Sequence, residues 1–204
     1  MERISVGDSC LSWVFGESLS IETSQKVLAA YRYLKDNEEM ESLGVHDVVP
    51  AYTSLAVYFN DPRQSESVRD CVEELFKTIP AEFMEGTSHT IEVDYNGVDL
   101  ARVVSLSGLS ASEVVGWHVK PEYLVATIGF LPHFPYLLGL NEKLHVPRLE
   151  SPRTKVAAGS VAIGGAQTGV YPQESPGGWN ILGTCDPLVL KVLQPGDTIK
   201  FCEV

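Results

Sequence analysis

Two stretches of the first ninety residues carry apolar positions at helical spacing. Val27, Ala30, Tyr31 and Leu34 fall at i, i+3, i+4 and i+7 within residues 24–34, the stripe of a helix packed on one face. Val68, Val72, Leu75 and Phe76 fall at i, i+4, i+7 and i+8 within residues 67–77, with Pro80 just beyond as a stop. Around them lie β-prone runs at residues 3–7, 11–15, 45–50 and 52–59, and another strand follows near residues 90–94. Strands, a helix, two strands, a helix and a closing strand make an α+β arrangement, ferredoxin-like in outline.

From about residue 89 the pattern changes. Asn96-Gly97 is a turn signal, and Ser110-Ala111-Ser112-Glu113 is an S-x-x-E capping box that starts a short helix ending near His118. Residues 123–128, 160–163, 169–171, 180–182, 188–193 and 198–202 read as short strands, with Pro195-Gly196-Asp197 a turn. Many short strands parted by Gly and Pro favour a closed or partly closed β-barrel, because closure removes exposed edges. The expected organisation is an α+β domain over residues 1–88 and a mostly β barrel over 89–204.

Composition sharpens that division. Residues 1–89 carry 7 Lys/Arg against 16 Asp/Glu, residues 90–204 carry 8 against 11, and 13 of the 17 Gly fall in the second part. The net charge of −12 argues against nucleic acid and anionic membranes as partners, since both select a basic face. Four cysteines without C-x-x-C spacing fit reduced thiols better than a disulfide framework or a zinc site. No apolar run reaches membrane-spanning length and no signal pattern opens the chain, so a soluble, cytoplasmic protein is expected.

Residues 129–183 break every few positions at Gly or Pro, yet they hold Phe130, Phe134, Tyr136, Tyr171 and Trp179. Linkers are polar and poor in aromatics. Loops this apolar are expected to be packed in place, where binding groups tend to lie. Arg148 and Arg153, stiffened by Pro147 and Pro152, suit planar recognition of a carboxylate or phosphate, or else are surface arginines beside turns. Gly164-Gly165-Ala166-Gln167-Thr168-Gly169 offers either backbone amides to a ligand or a barrel-corner turn, and lacks the lysine of a Walker loop. His118 at a helix end is either a packed histidine or a proton-handling one. No serine elbow and no metal-ligand histidine spacing is present.

Several of these stretches resemble a known family. They are Gly129-Phe130-x-Pro132-x-Phe134-Pro135-Tyr136-Leu137-x-Gly139-Leu140, Pro147-Arg148, Pro152-Arg153, Ala158-Gly159-Ser160-Val161, Gln167-Thr168-Gly169-Val170-Tyr171-Pro172 and Ser175-Pro176-Gly177-Gly178-Trp179. Gly108-Leu109-Ser110 with Glu113 and His118, and Val49-Pro50-Ala51-Tyr52, fit as well. On these motifs the chain resembles the KipI / allophanate hydrolase subunit 1 family, which includes the B-type subunit of the bacterial 5-oxoprolinase.

The resemblance implies a cyclophilin-like barrel behind the α+β domain. It also implies a larger barrel subunit of the KipA or subunit 2 type and a third subunit as partners. Together such subunits open 5-oxoproline to glutamate at the expense of ATP, bound here or with a partner. Because a sporulation-kinase inhibitor belongs to the same family, the alternative is a regulator that binds a histidine kinase. A further reading is a carboxyltransferase-like component, as in urea carboxylase.

By position the resemblance points to His118, Arg148, Arg153 and Gln167 as catalytic, with the substrate held by Phe134, Gly164, Gly165, Thr168 and Tyr171. The arginines would hold a carboxylate or a phosphorylated intermediate, Gln167 and the glycine turn would orient the amide carbonyl, and His118 would move a proton. The chain departs from the pattern at His133, where Gly is usual, and at Leu149, where a second Arg is usual.

Overall fold

A computed structural model of the protein describes residues 2–79 and 86–204. The chain divides into two compact units, Met1–Met84 and Glu85–Val204, a few residues ahead of the boundary expected from composition.

The first unit contains β1 (Glu2–Ser5), β2 (Cys10–Val14), α1 (Ile21–Lys35), α2 (Glu38–Ser42), β3 (Val45–Pro50), β4 (Ser54–Phe59) and α3 (Ser65–Phe76). Its four strands form an antiparallel sheet in the order β1-β2-β4-β3. The Ser20 hydroxyl accepts from the Thr23 N–H and starts α1, whose Val27, Leu28, Ala30, Tyr31 and Leu34 are buried as the periodicity requires. Phe76 at the end of α3 meets Trp13 and Phe15 edge-on, joining that helix to the sheet. Pro80, expected to stop α3, lies outside the described residues. The acidic run forms its own short helix: the Asn37 side chain caps it, three glutamates occupy its first turn, and Met40 turns inward.

The strand expected to close this first sheet does not join it. β5 (Ser88–Val93) pairs in parallel with the final strand of the second unit. There follow α4 (Leu100–Ser107), α5 (Ala111–Val119), β6 (Tyr123–Ile128), β7 (Pro135–Leu138), β8 (Arg153–Val156), β9 (Ser160–Gly164), β10 (Gln167–Val170), β11 (Ser175–Gly177), β12 (Asn180–Thr184) and β13 (Thr198–Glu203).

Seven strands run β12-β9-β10-β7-β6-β13-β5, while β8 and β11 make a separate ribbon. The sheet curls nearly shut. Asp94 and Thr184 exchange two backbone hydrogen bonds of 2.9 Å, and the Gly97 and Asp99 N–H groups donate onward to Leu182 and Ile181. The chain leaving β5 thus seals the edge of β12, and the α+β sheet followed by a barrel is the fold class the sequence implied. Val93, Val103, Val114, Tyr123, Val125, Leu137, Val161, Ile163, Leu182 and Phe201 fill the interior.

Two other expectations change. Residues 188–193 are no strand: a 3₁₀ helix spans Pro187–Val192 and Leu193 caps its end, because Asp186 caps Leu188 N–H and Pro187 sets the first turn. α4 was not anticipated, although Leu100, Val103 and Val104 carry helical spacing and Gly108 closes the helix at φ 71°. Among the described residues no helix is long and apolar enough to cross a membrane.

Candidate functional site

The loops after β6 and β7 and the β8–β11 ribbon enclose a cleft of about 350 Å³. Phe130, Phe134, Tyr136, Tyr171 and Trp179 form its walls, with Arg148, Leu149 and Pro152 at one side. Phe134 is the hub: its ring lies edge-on to Tyr171 at 5.2 Å and to Trp179 at 5.8 Å, and Tyr136 tilts against it at 4.8 Å. Trp179 packs so closely on the barrel that a Cβ on Gly164 would lie 2.8 Å from the indole, and one on Gly169 would lie 3.1 Å from it. Only glycine leaves room for that ring. The Tyr171 hydroxyl bonds to the Trp179 backbone, and burial pushes its pKa up, so it is a neutral phenol at pH 7.

Arg148 is the cation of the cleft. Its guanidinium sits 5.5 Å from the centre of the Trp179 ring, and its Nη2 donates to Gln167 Oε1 at 3.4 Å. Among the described residues no carboxylate pairs with it, and the group is exposed. Gln167 is nearly buried and does not line the cleft; it touches the site through Arg148.

Arg153 is drawn elsewhere. Its Nη2 donates to Asp99 Oδ1 at 2.6 Å, and the other Asp99 oxygen accepts the Ile181 N–H at 2.8 Å. The second guanidinium expected in the site therefore neutralises a buried carboxylate at the barrel seam. The glycine turn is likewise occupied: Gly165, at φ 63°, turns the β9–β10 hairpin, and its N–H bonds to Val146 O at 2.9 Å. The Gly165 amide is thereby committed to the barrel, as a corner turn requires.

His118 does not reach the cleft. It is fully buried, stacked on Phe201 at 4.8 Å, with the Tyr95 hydroxyl 2.6 Å from Nδ1 and Thr168 Oγ1 2.9 Å from Nε2. Thr168 gives its own proton to Ala162 O at 3.1 Å, so it accepts from Nε2–H, and Nδ1 accepts from Tyr95. One tautomer satisfies every group. Desolvation pushes the His118 pKa down from 6.5 to about 3. The resemblance implied a proton-moving role for His118, but its ring is sealed in the barrel interior away from the cleft, where it holds Thr168 and the strand that carries Gln167.

This burial has a consequence for stability. The folded ring stays neutral where the unfolded chain binds a proton, so the contribution is full above pH 6.5 and is lost as pH falls toward 3. The slope is about 1.4 kcal/mol per pH unit over that window. His118→Gln is expected to flatten acid unfolding by about one proton, measured by urea titration between pH 4 and pH 7.

The cleft, the barrel and the ribbon are shared with known proteins. Residues 1–193 match the family described as carboxyltransferase domain, subdomain C and D. The chain belongs to this family.

Among curated members of similar sequence, the B-type subunit of 5-oxoprolinase from Bacillus subtilis is 36% identical, covering 98% of this chain and 91% of that protein. Its counterpart from Escherichia coli O157:H7 is 40% identical over 77% of each chain. The crystal structure of TTHA0988 superposes with a TM-score of 0.81 at 38% identity, and this chain spans 40% of that longer protein. Urea amidolyase of Kluyveromyces lactis, at 16% identity and a TM-score of 0.79, shares the fold; this chain covers 15% of it. The resemblance carried by the loop motifs is thereby borne out.

Two departures from the family pattern, Leu149 and His133, sit in the cleft or in the loop beside it. Leu149, in place of a second arginine, makes part of the wall apolar. His133 adopts φ 67°, the left-handed conformation in which glycine is unstrained, and Phe130 in the same loop adopts φ 69° and is 59% exposed. Restoring glycine with His133→Gly is expected to raise stability by about 0.5–1 kcal/mol, read as a shift in the urea midpoint at unchanged slope.

Sequence reasoning missed Asp99, Tyr95 and Asn180, the buried partners of Arg153, His118 and the Arg148 turn. They lie 54, 23 and, for Asn180 with Pro147, 33 residues away along the chain. No local pattern announces such pairings.

Proposed function

We propose that the chain is the B-type subunit of an ATP-dependent 5-oxoprolinase, and that its aromatic cleft receives the 5-oxoproline ring. The observation that carries this reading is a guanidinium with no carboxylate partner among the described residues, Arg148, at the side of an aromatic cleft. 5-Oxoproline is a small, flat lactam bearing one carboxylate. Such a ligand takes van der Waals contact from Phe134, Tyr136 and Trp179 and a paired hydrogen bond from Arg148. The curated 5-oxoprolinase relatives support the reading, as does the family resemblance.

In this reading Arg148 anchors the carboxylate and so sets which edge of the ring faces outward. Gln167 steadies the guanidinium through its carbonyl oxygen, and the neutral Tyr171 with Trp179 excludes water from the ring face. The cleft remains open on one side, and the lactam bond is presented there to groups supplied by a larger barrel subunit and a third subunit. A triphosphate with its metal calls for several cations and carboxylates. The cleft lining holds one guanidinium and no carboxylate, so it does not fit ATP, and ATP is assigned to the partners.

Purified chain mixed with its partner subunits, 5-oxoproline and ATP should release glutamate. No gain over the partners alone would contradict the assignment.

A further inference from the structure

We propose that Asn180 and Arg102 are positioning residues for Arg148, an inference that rests on reading the cleft as the 5-oxoproline site. Asn180 is completely buried at the start of β12. Its amide nitrogen donates to Pro147 O at 3.0 Å and to Ile163 O at 3.3 Å, and its Oδ1 accepts from Arg102 Nε at 3.0 Å. The orientation of this amide is unambiguous, because both carbonyls only accept and the guanidinium only donates.

The site's geometry depends on this one side chain. Arg148 lies in a short segment held by three ties. The Gly165 N–H bonds to Val146 O at 2.9 Å, the Leu149 N–H bonds to Gly178 O at 2.7 Å, and Asn180 holds Pro147 O between them. The first two join backbone to backbone and survive substitution. The third is a side-chain tie, and it acts on the peptide that leads directly into Arg148.

Through Ile163 O the same amide fixes that peptide to β9, one residue before the Gly164 on which Trp179 packs. The guanidinium of Arg148 and the indole of Trp179 are thus referred to a common point in the barrel. Arg102, on α4, holds Asn180 Oδ1 from the other side and keeps both amide hydrogens aimed at the carbonyls. Neither residue lines the cleft, so each acts through Arg148 and not on substrate.

The test is a double-mutant cycle in the assembled enzyme. Asn180→Ala is expected to raise the KM for 5-oxoproline on the order of tenfold with kcat changed by less than about threefold. Arg102→Met should act in the same direction but less, and Arg102→Lys should recover part of the loss. In combination with Arg148→Ala, Asn180→Ala should add less than about twofold, since its effect passes through the missing guanidinium. Multiplying effects, or a fall in kcat at constant KM, would overturn the proposal. If Asn180→Ala does not fold, Arg102→Met completes the same cycle.

A second readout is independent of turnover. In the chain alone, the indole N–H resonance of Trp179, assigned by its loss in Trp179→Phe, should move in Asn180→Ala and Arg102→Met as it does in Arg148→Ala. An unmoved resonance in both variants would refute the positioning role. A moved resonance in a chain whose wild-type complex turns over no 5-oxoproline would uphold it and reject the functional reading instead.

Discussion

Replacing Arg148 by alanine is expected to raise the KM for 5-oxoproline in the assembled enzyme on the order of 30- to 100-fold. The guanidinium is the cation among the residues that line the cleft, and it faces no carboxylate of its own chain among the described residues. A hydrogen bond to a charged group is worth about 1.5–3 kcal/mol, and the paired geometry of arginine with a carboxylate lies at the strong end. Lysine is not expected to restore the loss, because a point charge on a flexible stem cannot match both carboxylate oxygens. Folding should be unaffected, since the side chain is exposed and its contacts are with the Trp179 face and a long bond to Gln167. Steady-state kinetics with varied 5-oxoproline and a thermal melt of the same preparation separate the two effects.

The largest effect on stability is expected at Asp99. The residue is 5% exposed, and its carboxylate pairs with Arg153 and accepts the Ile181 N–H. Asp99→Ala removes one partner of a mostly buried ion pair, leaves the Arg153 guanidinium without its counter-charge, and frees a backbone donor in β12. Breaking such a pair costs about 3–5 kcal/mol. For a protein of this size that corresponds to a fall in Tm on the order of 10 °C. The site lies where the chain leaving β5 seals the barrel, because the Asp99 N–H also bonds to Ile181 O at 3.1 Å. Asp99→Asn keeps an acceptor for Ile181 and should lose about half as much. A melt of Asp99→Ala indistinguishable from wild type would show that this pair does not hold the seam.

These two arginines show what the sequence can and cannot disclose. Both sit beside prolines in the same loop run, and nothing local separates them. Their fates diverge because Asp99 lies beside one and an indole beside the other, and those neighbours come from 54 and 31 residues away. His118 makes the same point. Its helix and capping box were legible from Ser110 and Glu113, and the structure shows both halves of the box. Its chemistry was not legible, because Tyr95, Thr168 and Phe201 reach it from three distant segments.

What was legible followed from short-range rules. The stripes of α1 and α3, the Gly/Pro-parted strands of the barrel and the aromatic richness of the loops all express constraints within a dozen residues. Phe134, Tyr171 and Trp179 were therefore expected to pack, and they do. β5 shows the limit of such rules. Its β propensity was plain, yet only tertiary pairing decides that it lies parallel to β13 and not in the first sheet. The residues after Asp186 show a different limit, since a proline at the first turn and an aspartate cap outweigh the strand propensity of Leu188, Val189 and Leu190.

The central claim is that Arg148 recognises the carboxylate of a ring held in the aromatic cleft. The most direct measurement compares turnover of 5-oxoproline with that of 2-pyrrolidinone, the same lactam without the carboxylate, in the wild-type complex and with Arg148→Ala. The account predicts that the wild-type preference for 5-oxoproline, expressed as a ratio of kcat/KM values, collapses in the variant while the pyrrolidinone rate barely moves. An equal loss on both lactams, with the preference intact, would contradict it.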